Sequence, residues 1–230
     1  MLHHGFCLLV TIGSVGVCYS VEPTETQRND VVTEAARRDL QTRLAKRTVL
    51  IERRPVLKSG YTVPGGHKRW LRGWLLNRGH VLTASVELAP SPIEDSVQLA
   101  IHREGRVIRA LVHKFDERMG LAILKLEQPA LWLKESADDG APKAREIWMG
   151  RPVFAWSPTG VPHRFTLGLP KPGQFAYFWR CQGVLPLGTP LTDAKGRLLT
   201  LVGSRAEPGI LHLLPPDALA WGMADSRQTE

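Results

Sequence analysis

Apolar and polar residues alternate along much of the chain from residue 48 onward. A period of two predicts β-strands, because successive side chains of a strand point to opposite faces. Six such segments come first, with turn signals such as Pro64-Gly65-Gly66, Arg78-Gly79 and Glu104-Gly105 between them. They are Thr48–Arg53, Trp70–Asn77, His80–Thr83, Ser96–His102, Arg106–His113 and Leu121–Leu126. Short strands with tight turns predict a small antiparallel barrel over residues 47–133.

A second series of strands follows a polar stretch at residues 134–147, which we interpret as a linker. The predicted strands are Arg151–Trp156, His163–Leu169, Phe175–Arg180, Leu198–Val202 and Ile210–Leu214. Pro215, Pro216 and Asp217 then predict the start of a short C-terminal helix. The second β module accordingly occupies residues 148–222, and residues 223–230 form a tail.

Residues 21–46 have a different pattern, a polar segment followed by a predicted helix. Val32, Ala36, Leu40 and Leu44 recur every four residues, and Asn29 or Asp30 can cap the start. The apolar stripe is only one residue wide. It predicts a helix that lies on a domain surface or pairs with another chain.

The chain begins with an uncharged apolar run at residues 6–19. This run is shorter than the roughly 20 residues that a membrane-spanning helix needs. Small residues at Cys18 and Ser20 favour a secretory signal peptide over residues 1–20, and an N-terminal element packed on the domain is the alternative. We therefore expect an exported protein, periplasmic or extracellular, without a transmembrane span in the mature chain. Of the three cysteines only Cys181 would then remain, so no internal disulfide can form.

Basic residues are concentrated between Arg37 and Arg72, where eleven Lys or Arg side chains face only two carboxylates, Asp39 and Glu52. The whole chain carries a formal net charge of +8. Such a block can bind an anionic surface such as phospholipid, a polyanionic glycan or an acidic protein. The alternative is a solvated helix face with ordinary surface strands. Because we expect export, we expect no nucleic acid partner.

Three segments contain recognisable sequence motifs, which we call frames. Residues 73–86 read Gly-Trp-Leu-Leu-Asn-Arg-Gly-His-Val-Leu-Thr-Ala-Ser-Val, and residues 115–126 read Phe-Asp-Glu-Arg-Met-Gly-Leu-Ala-Ile-Leu-Lys-Leu. Residues 184–191 read Val-Leu-Pro-Leu-Gly-Thr-Pro-Leu, before a hairpin signal at 193–197 and a closing strand from Gly209. In this order they resemble the histidine, aspartate and serine segments of trypsin-like serine proteases of the bacterial HtrA/Deg type. The resemblance implies an all-β fold with a double six-stranded antiparallel β-barrel, here with an N-terminal helix and a short C-terminal helix.

The resemblance places the three catalytic positions of that family on Val86, Gly120 and Leu187. A frame slip by one would move the first to Ser85. Proteolysis needs a nucleophile, an imidazole that takes its proton and a carboxylate that orients the ring. Valine, glycine and leucine supply none of these groups. The oxyanion side is also altered, because Leu185 and Pro186 precede Leu187 and proline lacks an N–H group.

Other residues offer a displaced triad as an alternative. His80 precedes the empty histidine position by six residues, and Asp116 precedes Gly120 by four. Ser157 fits a structural turn better than a nucleophile, whereas Ser204 follows a predicted strand of the second module. The chain contains none of the common metal-binding or phosphate-binding motifs, so we expect no metal and no cofactor.

The resulting expectation is a catalytically inactive, HtrA-like protease homologue that works by binding. Its ligand would be a peptide or protein segment in the cleft between the two barrels, held by strand addition. The alternatives are an active serine endopeptidase with a displaced triad, and an anion-binding surface protein that uses Arg37–Arg72.

Overall fold

The computed structural model describes residues 33–59, 68–76, 79–129, 152–159, 161–166, 179–182, 185–207 and 210–214. The chain divides into two units, Met1–Thr33 and Glu34–Glu230, and every element below belongs to the second. The predicted signal peptide, linker, C-terminal helix and tail lie outside the described residues. Across the part that is described, no helix is long and apolar enough to cross a membrane.

Helix α1 (Glu34–Arg47) leads directly into the first strand. Glu34 in its first turn and the basic side chains of its last turn suit the helix dipole. The helix begins later than the predicted cap at Asn29 or Asp30, residues that are not described. Leu40 and Leu44 are fully buried, so the helix packs on its own domain, the first of the two predicted arrangements.

Six antiparallel strands close into a barrel in the order β1-β2-β3-β6-β5-β4. They are β1 (Thr48–Leu57), β2 (Arg69–Leu75), β3 (His80–Ala84), β4 (Glu94–Arg103), β5 (Arg106–Asp116) and β6 (Leu121–Leu126). The alternation of the sequence places Val49, Ile51 and Ile101 in the barrel interior with side chains from the other strands. Glu104 and Gly105 form the two-residue β4–β5 turn, both at positive φ, which suits the twist of a hairpin.

The second module is a six-stranded antiparallel sheet in the order β8-β7-β10-β11-β12-β9. Its strands are β7 (Pro152–Ala155), β8 (His163–Thr166), β9 (Trp179–Gln182), β10 (Pro190–Thr192), β11 (Leu198–Glu207) and β12 (Ile210–Leu213). A second core gathers around Val153, Leu191 and Val202. The outer strands β8 and β9 lie close together, so the sheet curls toward a barrel. The predicted all-β fold is confirmed, with closure seen fully for the first barrel and in part for the second.

The two modules meet where β2 and β3 face the loop before β10. The N–H of Arg72 donates to the carbonyl oxygen of Leu187 at 2.8 Å. The side chain of Leu187 packs against both hydrophobic cores. This junction brings the segments of the predicted site together.

Candidate functional site

The histidine frame ends in a tight turn after β3. The N–H of Leu88 donates to the carbonyl of Ser85 at 2.9 Å, and the Leu88 side chain is buried in the barrel core. Between them Val86 points outward, with 59% of its surface exposed. The position is thus accessible to a ligand, but its side chain can neither accept nor donate a proton.

The aspartate frame lies directly beside this turn. The carbonyl of Gly120 accepts the N–H of Ser85 at 2.9 Å. Gly120 has φ +68°, and a Cβ there would lie 3.0 Å from Cδ2 of Leu214. The nearby carboxylate of Asp116 accepts the N–H of Met119 at 2.9 Å and so stabilises the preceding turn. At Gly120, the residue that the resemblance aligns with the orienting carboxylate, the structure has a left-handed backbone against Leu214.

The serine frame is a β-turn that Leu187 and Gly188 occupy as central residues. The N–H and the hydroxyl of Thr189 both donate to the carbonyl of Pro186, at 3.2 and 2.6 Å. Gly188 has φ +73°, which favours glycine. Its N–H donates to the carbonyl of Val202 on β11 at 2.7 Å. The turn is held between the two modules and carries the apolar side chain of Leu187, the residue that the resemblance aligns with the nucleophile.

The structure therefore brings the three predicted frames to one junction. Ser85 links the first two frames, and β2 contacts the third through Arg72. On the oxyanion side Leu185 is buried in the second core. Glu104 alone among the described non-glycine residues has positive φ, so Leu185 does not adopt a glycine-like conformation. Within the described residues no group of three or more His, Cys, Asp or Glu side chains is placed to hold a metal.

The residues of the predicted displaced triad have separate environments. His80 is buried, its ring 5.2 Å from that of His113, at the end of β3 remote from Val86. The Ser157 hydroxyl is buried and 2.8 Å from that of Thr159. Ser204 lies opposite His212 in the β11–β12 ladder.

Most of the basic side chains between Arg37 and Arg72 contact other groups of the protein. Nine of the eleven cations have a carboxylate or carbonyl partner: Arg38, Arg43, Arg47, Arg53, Arg54, Lys58, Lys68, Arg69 and Arg72. Much of the charge that the sequence shows as a block therefore stabilises the fold.

Glu52 forms the centre of one such group on the outer face of the barrel. Its buried carboxylate contacts Arg54 at 2.7 Å, Lys68 at 3.0 Å and His102 at 2.8 Å. The hydrogen bond from Arg54, with help from Lys68 and His102, lowers the pKa of Glu52 to about 2, although burial opposes the shift. The carboxylate stays ionised at neutral pH and neutralises part of its cationic surroundings.

Comparison with known proteins identifies the fold. By sequence the chain matches no family model and no curated protein. By structure it is similar to the HtrA-type protease AlgW with decapeptide, at 17% identity and TM-score 0.58, over 86% of this chain and 68% of that one. It is also similar to the Rv3671c protease from M. tuberculosis in its active form, at 16% identity and TM-score 0.59, over 92% and 93% of the two chains. The inactive form gives 15% identity and TM-score 0.54, over 83% and 94%. The chain has the trypsin-like fold of HtrA-type proteases.

Proposed function

We propose that this protein is a catalytically inactive, HtrA-like protease homologue that binds an extended peptide or protein segment beside Leu187. The observation that supports the proposal is the bonding of the three frames at the junction of the modules: Ser85, next to Val86, bonds Gly120, and Arg72 bonds Leu187. Three separate replacements remove the base, the orienting carboxylate and the nucleophile, while the surrounding scaffold keeps its hydrogen bonds. Loss of chemistry on an intact scaffold favours binding over turnover.

The strand β11 offers a place for such a segment. On its β10 side the pairing ends at Val202, whose backbone bonds Gly188 and Thr189. On its β12 side the pairing continues to Glu207. The stretch from Gly203 to Glu207 therefore has one partner strand among the described residues, and its other edge begins directly beside Leu187. A sheet edge of this kind accepts a peptide by main-chain hydrogen bonding. The neighbouring fold of AlgW, solved with a decapeptide, agrees with this class of ligand.

Two measurements on the purified mature chain test the proposal. A fluorophosphonate probe and casein are expected to show neither labelling nor cleavage, with an active HtrA-type protease as the positive control. A degenerate decapeptide library is expected to bind, and hydrogen exchange of the amides in 203–207 is expected to slow at least several-fold while the β4–β5 hairpin is unchanged.

Labelling by the probe would overturn the inactivity, and Ser204→Ala and His212→Ala would then show whether the displaced triad is responsible. Peptide binding that protects a different segment would overturn the location at β11. No binding at all would favour the anion-binding alternative. In that case the protein should be retained on heparin at low salt and released at high salt.

We also propose that the protein is exported and acts in the periplasm or outside the cell. The apolar run at 6–19 and the small residues up to Ser20 support this proposal. N-terminal sequencing of the protein from its own cells provides the test. A chain that keeps Met1 and stays in the cytosolic fraction contradicts it.

A further inference from the structure

Arg72 lies at the junction of the two modules. Its backbone N–H donates to the carbonyl of Leu187 at 2.8 Å. The carbonyl of Arg72 accepts the hydroxyl of Thr83 at 2.7 Å. These two bonds hold its main chain directly against the loop of the serine frame.

The guanidinium of Arg72 reaches across to the second module. Its Nη1 donates to the carbonyl of Trp156 at 3.3 Å, and its Cζ lies 5.0 Å from the centre of the Trp156 ring. Among the described residues no carboxylate pairs with Arg72, whereas Arg53 and Arg54 each pair with a glutamate. The guanidinium has five N–H groups, and within the described residues one of them has a hydrogen-bond partner.

Burial makes this arrangement costly. Removal from water lowers the pKa of Arg72, since a desolvated cation is less stable in its charged form. A stacked tryptophan offsets part of that cost but supplies no negative charge. An anion beside the guanidinium would supply the electrostatic interaction that the buried cation lacks.

The support under the guanidinium is fixed by helix α1. Ser157, the residue after Trp156, donates its N–H to Oε1 of Gln41 at 3.5 Å. Nε2 of Gln41 in turn donates to the carbonyl of Ser157 at 2.5 Å. Because the backbone next to Trp156 is held from the helix, the arginine and its ring are already in place before a ligand binds. Such preorganisation lowers the entropic cost of binding.

The path of a bound peptide leads to this arginine. The Leu187–Gly188 turn lies between β11, which it contacts at Val202, and β2, which it contacts at Arg72. A peptide that follows the β11 edge past Leu187 therefore comes against Arg72. We propose that Arg72 is a specificity-determining residue that binds an acidic side chain of the peptide, an inference that rests on the proposed function.

The surface around Arg72 fits an acidic segment that also carries apolar residues. Leu50, which pairs with Arg72 across β1 and β2, is 38% exposed, and Trp70 is 45% exposed. Arg54 and Lys68, both about half exposed, share one carboxylate, that of Glu52. Two cations on one anion leave the outer face positive, and this charge is complementary to an acidic partner.

Paired decapeptide pools test the inference. For each position of the peptide, one pool has Glu at that position and the other has Gln, and the two pools are otherwise the same. Binding is measured by fluorescence anisotropy with the mature chain. At one or two adjacent positions we expect the wild type to prefer Glu about tenfold, a size typical of a charge-assisted arginine–carboxylate bond. Arg72→Gln removes the positive charge but keeps a polar side chain, and it is expected to reduce the preference to nearly one. Arg109→Gln, which removes an exposed arginine of β5 on the same barrel, should leave it unchanged.

The outcomes separate this inference from the proposed function. If the pools bind and slow exchange at 203–207 but show no preference for Glu, the role of Arg72 is wrong and the peptide site stands. If no pool binds, the proposed function itself fails. A preference that survives in Arg72→Gln also overturns the inference. A loss of preference supports it when thermal unfolding of the variant matches that of the wild type. High salt should reduce the preference in the wild type, since it screens a half-buried pair at the surface.

Discussion

Gly188→Ala is expected to lower the free energy of unfolding by about 3 kcal/mol or more, because left-handed backbone and overpacking costs add at one residue. Gly188 has φ +73°, where L residues are strained. A Cβ at this position would collide with the carbonyl oxygen of Arg72 and with the hydroxyl of Thr83. Neither group can move freely, because Arg72 belongs to a paired strand and the two groups are hydrogen-bonded to each other. Urea unfolding measures the loss.

Gly105→Ala is the matched control. Gly105 has almost the same backbone angle, φ +75°, but a Cβ added there would have no other atom within 4 Å. Only the cost of the left-handed backbone conformation should apply to this variant, about 1–2 kcal/mol of unfolding free energy. Equal losses for the two variants would show that the close approach at the junction does not exist. A much larger loss at Gly188 would confirm that the serine-frame turn is wedged against β2.

Glu94→Ala is expected to cost about 3–5 kcal/mol, the range for removing one partner of a buried ion pair. Arg53 lies inside the barrel, and its guanidinium contacts the Glu94 carboxylate at 2.5 Å with side chains that are 4% and 10% exposed. A second bond from Arg53 to the carbonyl of Ala89 holds the loop that follows the histidine frame. Without Glu94 the arginine keeps a buried charge that has lost its partner.

Asp39→Ala provides the comparison for burial. Asp39 contacts Arg43 at 2.7 Å, but both side chains are about half exposed or more. Water and salt screen such pairs, so the expected cost is below about 0.5 kcal/mol. A small loss for Glu94→Ala, close to that of Asp39→Ala, would contradict the assignment of a buried pair.

The same carboxylate predicts how stability depends on pH. Hydrogen bonds from Arg53, then from Ser91, lower the pKa of Glu94 from 4.5 to about 2 against the effect of burial. Its contribution is therefore complete above about pH 4.5 and is lost as the pH falls toward 2, because the unfolded chain takes up the proton first. Urea unfolding between pH 6 and pH 3 should show this decline. Glu94→Gln should show a shallower one, and an unchanged slope would contradict the shift.

Much of the fold follows from local patterns. The β6 strand has the predicted bounds, Leu121–Leu126, because period-two alternation and turn residues act over a few neighbours. The prediction ended β1 at Arg53, whereas the strand runs to Leu57. The reason is that the extension pairs with the start of β4, where Val56 lies opposite Ser96 and Leu57 opposite Glu94. A single sequence contains no local signal for that partner.

The candidate site, like the fold, could be predicted from the sequence only in part. The frames around Val86, Gly120 and Leu187 are visible in the sequence, and so are the residue types at those three positions. That they meet is decided by strand pairing, which joins Ser85 to Gly120 and β2 to the loop before β10. The role inferred for Arg72 had no sequence signal at all, because Trp156 lies 84 residues away and contacts it only through packing of the two modules.

The sequence by itself determined which residue types occupy the three frames and which segments form strands. Both properties belong to residue types and to their spacing along a few turns of chain. The tertiary structure decided where charge is neutralised, that Gly188 has no room for a side chain, and that Arg72 lies against Trp156 of the second module. Those outcomes depend on contacts between distant segments, and such contacts are fixed only when the strands close and the cores pack.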